Sequence, residues 1–265
     1  MPGKTMIGGT AYDEKPGNVM IGGTVYTINE GKTIVDGTAY SIKFKKGTPL
    51  SEYSVGSIVK LNVSGTAKEF IVVHQGLPSS IYDDSCNGTW LLMKDIYESR
   101  AWHSSDVNDY ENSTIHSYLN STFLALFDSN IQSVIKQVKI PYRAGSGYKS
   151  TVTSGASGLQ AKIFLLSCEE IDYGGEYKPH KEGSTLSYFH GSANNSSKHI
   201  AYLNGSASGW WLRSPYCYVL MGKITAWRLN SSGEDDISFC SSSDGIRPAL
   251  VLPSTLLVSD DLLIA

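Results

Sequence analysis

The sequence predicts an α+β protein: small mixed sheets, two helices and long loops, preceded by β-hairpin repeats. Three observations carry this. A 14-residue unit occurs three times within the first 42 residues. Beyond it, short β-branched and aromatic runs alternate with turn residues, and two stretches have helical periodicity. Near the C-terminus two apolar blocks, Gly209–Pro215 and Gly245–Leu252, frame an interior without core-like periodicity. Sixteen tyrosines and 26 glycines suit strands, turns and contact surfaces better than long helices.

The repeat reads Ile7-Gly8-Gly9-Thr10-Ala11-Tyr12, then Ile21-Gly22-Gly23-Thr24-Val25-Tyr26, then Val35-Asp36-Gly37-Thr38-Ala39-Tyr40. Gly-Gly and Asp-Gly supply the positive φ that a tight hairpin turn requires, so each unit is expected to be strand, turn, strand. A hairpin this small cannot bury both faces and needs a neighbour. Residues 1–46 are therefore expected to form an attachment or oligomerisation module, with a simple sheet extension of the main domain as the alternative; residues 47–265 form that domain, with Gly47-Thr48-Pro49 at the boundary.

In the main domain, Ser57–Val63, Glu69–Gly76 and Trp90–Asp95 read as strands. A helix capped by Asn112 or Ser113 follows, with Ile115, Tyr118, Leu119, Phe123 and Leu126 along one stripe. A second is capped by Asp128 or Ser129, buries Ile131, Val134, Ile135 and Val138, and runs to Pro141. Lys162–Ser167 reads as a buried strand and 168–171 as a short helix capped by Ser167. The tracts 144–157 and 173–198 read as loops.

Composition excludes several functions. A net charge of −3, with Lys43, Lys45 and Lys46 as the only dense basic run, argues against nucleic-acid binding. No apolar run is long enough for a membrane span or a signal peptide, so a soluble protein without encoded export is expected. Four scattered cysteines and six dispersed histidines lack disulfide-framework or metal-ligand spacing. Glu169-Glu170 imitates a catalytic pair, but a helix N-terminus favours acidic residues, and a structural role is the stronger reading.

The blocks Trp210-Trp211-Leu212-Arg213-Ser214-Pro215 and Gly245-Ile246-Arg247-Pro248-Ala249-Leu250 resemble the C-terminal signature of C-type-lectin-like domains of phage and bacterial proteins, related to the formylglycine-generating-enzyme fold. The likeness covers about Ser54 to Leu252, and many such domains are variable proteins of diversity-generating retroelements. There, copying errors at adenines turn AAC codons into most residues, but not into Trp, Met, Lys, Gln or Glu. Tyr216–Leu220 and Asp235–Asp244 contain none of these five, whereas Met221, Lys223, Trp227 and Glu234 interrupt. The N-terminal repeats resemble glycine-threonine-tyrosine repeats of phage tail and baseplate proteins.

The resemblance implies a non-enzymatic binding protein with its variable region at about 210–250. It implies a ligand surface of Tyr216, Cys217, Tyr218, Val219, Leu220, Ile224, Arg228, Asp235, Asp236, Ser238, Phe239 and Ser241. Expected partners are a host-surface protein or glycan, phage tail or baseplate proteins and further copies in a trimeric homo-oligomer, with a virion or bacterial-surface location. No cofactor, metal, nucleic acid or membrane insertion is expected. Cys217 and Cys240 lie too far apart for the copper-binding pair of the related oxidases, and calcium-ligand triplets are missing. The alternatives are an enzyme of the parent fold, a bacterial adhesin or a purely structural tail component.

Strand alternation sets the remaining expectations. At least one of Trp210 and Trp211 must be core, and Arg213 and Arg247 should be buried anchors. Trp227 and Leu229 should face inward, with Ile224, Ala226 and Arg228 outward. Tyr218, Val219, Ile224 and Phe239 should form an exposed patch, and the two blocks should pair within one sheet with Pro248 at an edge or bulge.

Overall fold

A computed structural model describes residues 47–264 apart from 106, 145–150, 174–181, 194–196 and 221–222, with backbone alone at 217–220 and 223. N-terminal to these it describes the backbone of strands between Lys4 and Lys43. The chain divides into two compact units, Met1–Thr48 and Pro49–Ala265.

The first unit holds three antiparallel hairpins. Lys4–Ile7 pairs with Thr10–Asp13, Asn18–Ile21 with Thr24–Thr27, and Glu30–Val35 with Thr38–Lys43. Each repeat sits in the same place, with Ile7 opposite Thr10, Ile21 opposite Thr24 and Val35 opposite Thr38. The connecting pairs at 8–9, 22–23 and 36–37 lie outside the described residues.

The second unit is α+β and is built on two five-stranded sheets. The first has the order Ile163–Phe164, Ala249–Leu252, Gly88–Met93, Thr66–Gly76, Ile58–Val63, all antiparallel. Its central strand Gly88–Met93 is buried throughout, as expected of an unbroken apolar run flanked on both sides. The second sheet has the order Glu98–Ala101, Ser243–Ile246, Trp210–Leu220, Lys223–Leu229, Asp235–Phe239. Its pairings are antiparallel except Trp210 against Gly245, which is parallel.

Two short links cross directly between the sheets. The chain leaves the first sheet through 94–97 and returns through Arg247-Pro248. The two crossings are bonded together: Met93 N–H donates to the Pro248 carbonyl, and Tyr97 N–H to that of Ile246, each at 2.9 Å. The second apolar block is therefore split, Ser243–Ile246 joining Trp210 and Ala249–Leu252 joining the other sheet. This corrects the expectation that the blocks pair within one sheet. Pro248 has no N–H to offer a ladder, and it sits in the link between strands, where none is needed.

The first helix, Thr114–Tyr118, is capped by Ser113, whose hydroxyl accepts from His116 N–H at 3.1 Å. One widened turn, Leu119–Phe123, and a tight turn, Leu124–Leu126, continue it. Ile115, Leu119 and Phe123 are fully buried, and the Phe123 ring meets Tyr97 and Phe127 edge-on. Asn120, part of a glycosylation-like triplet, accepts from Lys162 and Ile163 N–H and donates to the Ile163 carbonyl, tying this helical segment to the first sheet.

The second helix is shorter than its periodicity suggests. It spans Ser129–Val134 and ends at Ile135, whose backbone is extended. Val138–Ile140 is instead a strand paired with Leu159–Ala161. Val138 and Ile140 are buried on either side of a more exposed Lys139, an alternation of two that overlaps a helical stripe over so short a run. The strand expected over 162–167 pairs only at Ile163–Phe164, and 168–172 is a turn rather than a helix.

Candidate ligand-binding surface

The surface predicted from the sequence rests on a buried ionic frame. Ser167 and Glu170 form a reciprocal cap: Glu170 N–H donates to Ser167 Oγ at 3.2 Å, and Ser167 N–H to Glu170 Oε2 at 2.9 Å. The same carboxylate meets the Arg213 guanidinium in a two-pronged pair, with Nη2 to Oε1 at 2.7 Å, and both side chains are fully buried. Arg213 also donates to the carbonyls of Pro141, Leu165 and Glu182. Tyr82 donates its hydroxyl to Glu170 Oε1 at 2.9 Å.

Glu182 accepts from the Ser214 hydroxyl. Burial raises its carboxyl above the usual range, and Arg213 opposes that rise. Three loop segments are thus pinned to the first half of the Trp210 strand, which gives Glu170 a structural role. Arg247 is the second buried anchor. Its Nε donates to the Met93 carbonyl at 2.9 Å, its guanidinium lies 4.9 Å from the Trp210 ring, and burial pushes its pKa down to about 10. Trp210 and Trp211 are both fully buried, one on each face of the strand. Their indole N–H groups reach the carbonyls of His199 and Arg100.

Beyond Ser214 the strand becomes irregular. Its pairing with Lys223–Leu229 shifts register between Trp211 and Pro215 and again between Pro215 and Val219. Proline lacks a ladder donor, and a bulge is where it can sit within a sheet. Asn108, fully buried, bridges the defect by donating Nδ2 to the carbonyls of Tyr216 and Thr225 at 3.0 and 2.9 Å.

The outer three strands then present two faces. On one, Tyr216 and Tyr173 pack against Trp227 at ring distances of 5.0 and 4.9 Å. Tyr173 donates its hydroxyl to Asp235 at 2.8 Å; burial and that carboxylate together raise its pKa. Ile237 stands opposite Trp227, and Phe239 opposite Thr225. The Trp227 indole N–H and the Thr225 hydroxyl are buried without a hydrogen-bond partner. On the other face Arg228 lies between Asp236 and Asp244, with its Nη2 2.6 Å from Asp236 Oδ2. Burial works against the Arg228 charge, but the two carboxylates outweigh it and raise its pKa. Burial also raises Asp244, against the pull of Arg228.

Residues 87–254 match the family model described as Domain of unknown function (DUF6273). The chain belongs to this family. No curated protein and no solved structure matches it. The DUF6273 span takes in the whole second sheet, both crossings and three strands of the first sheet, but not Ile58–Val63 or Thr66–Gly76.

Within the DUF6273 domain the twelve predicted site residues do not all share one role. Cys217, Tyr218, Val219 and Leu220 continue the Trp210 strand, with Val219 opposite Ile224 and Leu220 opposite Lys223, but their side chains lie outside the described residues. The exposed patch expected of Tyr218 and Val219 therefore also lies there. Its other two members, Ile224 and Phe239, are half-buried rather than exposed, and Tyr216, Ile224 and Ile237 pack against the core. Ala226 is fully buried where an outward side chain was expected, because Trp211 and Pro215 also occupy its face. Arg228 and Asp236 are engaged with each other, and Asp235 with Tyr173. Ser238 is half-buried and Ser241 exposed.

Tyr173, Asn108 and Asp244 were missed. Their links to the surface span 62, 117 and 16 residues, and no local pattern carries such a signal. Among the described residues no group of three or more His, Cys, Asp or Glu is placed to hold a metal ion. Cys86 and Cys168 are free thiols in the interior, and Cys240 is buried. Among the described residues no helix is long and apolar enough to cross a membrane.

Proposed function

We propose that this protein is a non-enzymatic binding module of C-type-lectin-like architecture, with its contact surface at the outer end of the second sheet. On this reading residues 216–244 meet a host-surface protein or glycan, the protein is a phage tail adhesin, and the N-terminal hairpins attach it to tail or baseplate proteins or to further copies of itself. A retroelement diversifies the contact residues.

One contrast supports it. Trp210–Pro215 and Gly245–Leu252, the latter divided between the two sheets, are completely buried, whereas every residue of the edge strand Asp235–Phe239 keeps contact with solvent. The fold demands specific side chains in the first group and far fewer in the second. Aromatic, acidic and cationic groups together on the less constrained part form the mixed surface typical of recognition.

The test uses purified full-length protein and intact cells of the bacterium in whose genome, or in whose phage, the chain is encoded. Phe239→Ala and the blocking change Ser238→Trp should lower adsorption at least tenfold, since truncating a central aromatic contact costs about 2 kcal/mol. The melting temperature should stay within a few degrees of the parent. Unchanged adsorption by both variants refutes this surface. The diversification part is tested on DNA: a near-copy of the codons for residues 210–250, differing at adenines beside a reverse-transcriptase gene, supports it, and a locus without either removes it.

A further inference from the structure

A groove of about 590 Å³ opens where the chain first crosses between the two sheets, and it shares no residue with the 216–244 surface. Lys68, Glu69, Lys94, Asp95, Tyr202 and Asn204 line it, and Met93, Ile96 and Tyr97 complete its walls. Its size falls in the range of roughly 300–1,000 Å³ usual for small-molecule sites.

Tyr202 is the unusual member. It is 46% exposed, and among the described residues only Val55 is another large apolar side chain so open to solvent. It belongs to a hairpin of Ala201–Leu203 and Ser206–Ser208, with Ala207 opposite it. The turn is two residues long, and Asn204 and Gly205 both adopt left-handed backbone at φ 52° and 82°. Such turns match strand twist and hold a hairpin in one register, and Asn-Gly is the pair that tolerates them best. Ile96 N–H donates to the Tyr202 carbonyl at 2.9 Å, locking the hairpin to the crossing segment. An aromatic ring with a small cross-strand neighbour is thus presented at the groove from a fixed backbone.

The charges narrow the ligand class. Two lysines face two carboxylates, and Lys94 Nζ already lies 2.5 Å from Glu69 Oε2. The lining has no net charge with which to select an ion. It offers an ammonium, carboxylates and an amide as donors and acceptors beside an exposed ring. A neutral polyhydroxylated molecule with an apolar C–H face complements all of these: hydroxyls to the polar groups, C–H face to the ring. We propose that this groove is a binding site for neutral saccharides, independent of the surface assigned above.

The test is saturation-transfer NMR on the full-length protein with glucose, galactose, mannose, N-acetylglucosamine and their disaccharides, followed by titration of the best binder. Saturation should reach the C–H protons of at least one sugar. Tyr202→Ala and Asp95→Ala should each weaken binding about tenfold or more, Tyr202→Phe should retain it because stacking needs the ring alone, and added salt should leave it unchanged. Circular dichroism checks that the variants remain folded, as the exposure of both side chains leads one to expect. Phe239→Ala should leave the sugar signal intact. The proposal is overturned if no sugar in the panel receives saturation, if folded Tyr202→Ala binds as the parent does, or if Phe239→Ala abolishes the signal, which would place the sugar on the outer strands.

Discussion

Replacing Glu170 by glutamine keeps the shape of a fully buried side chain and removes its charge. The two oxygens of Glu170 each accept twice: Oε1 from the Tyr82 hydroxyl and Arg213 Nη2, and Oε2 from Ser167 N–H and Arg213 Nη1. A carboxylate only accepts, which suits four donors; an amide carries two donors of its own. With its nitrogen at the Oε2 place the amide faces Ser167 N–H and Arg213 Nη1 and strands both; at the Oε1 place it faces Arg213 Nη2, while the Tyr82 hydroxyl can turn to accept. Breaking a buried ion pair from one side costs about 3–5 kcal/mol, and each stranded donor about 1–3 kcal/mol. These overlap, because Arg213 is counted in both, and Glu182 Oε1 remains 3.8 Å from Arg213 Nε as a second counter-charge. The expected loss is therefore near the lower figure, about 3 kcal/mol.

For a unit the size of Pro49–Ala265, each kcal/mol moves the melting temperature by about 2–4 °C, which predicts a fall of roughly 6–12 °C. Calorimetry at pH 7 measures it, with Glu52→Gln, an exposed change, as the control. A further variant separates charge from packing. Glu170→Gln combined with Arg213→Met removes both halves of the pair and should be less destabilised than the sum of the two single changes. A melting temperature for Glu170→Gln within about 2 °C of the parent would mean that the loops of the second unit do not depend on this frame.

Two further outcomes follow from the same geometry. Gly245→Ala would place a Cβ 2.6 Å from the Gly209 carbonyl oxygen and 2.8 Å from Ile96, so the contact between Trp210 and Gly245 must open; denaturant titration should show a loss of about 1–3 kcal/mol. Burial lowers the pKa of His74, His116 and His199, that of His116 to about 4. Their stabilisation is complete above the unfolded value of 6.5 and is lost as pH falls toward the folded value, whereas Glu182, raised by burial, acts in the opposite sense. Melting temperature should therefore drop between pH 6.5 and pH 4, and His116→Gln should shrink that drop; a variant with an unchanged profile refutes the assignment.

Much of the α+β character was readable along the chain because local patterns carry it. Ser113 has the chemistry of a cap, Trp90-Leu91-Leu92-Met93 is too uniformly apolar to be anything but interior, and the alternation around Trp210 demanded burial. Where two local patterns coincide, the reading failed. Val138 and Ile140 fit both a helical stripe and a strand, and pairing with Leu159–Ala161, some twenty residues on, decided for the strand. Ala226 keeps the alternation of its strand, but Trp211 and Pro215 cover its face, so it is buried.

The sequence by itself determined the repeated hairpin unit, the two apolar blocks and the burial of Arg213 and Arg247, because each follows from residue type within a few positions. Tertiary structure alone decided which carboxylates face Arg213, that the block from Ser243 to Leu252 divides between two sheets, and that Tyr173 and Asn108 support the outer strands. It alone also brought the Tyr202 hairpin beside Lys94 and Asp95. Such contacts join groups many tens of residues apart. Hydrogen bonds and charges act over a few ångströms of space whatever the separation along the chain, so no single segment records them.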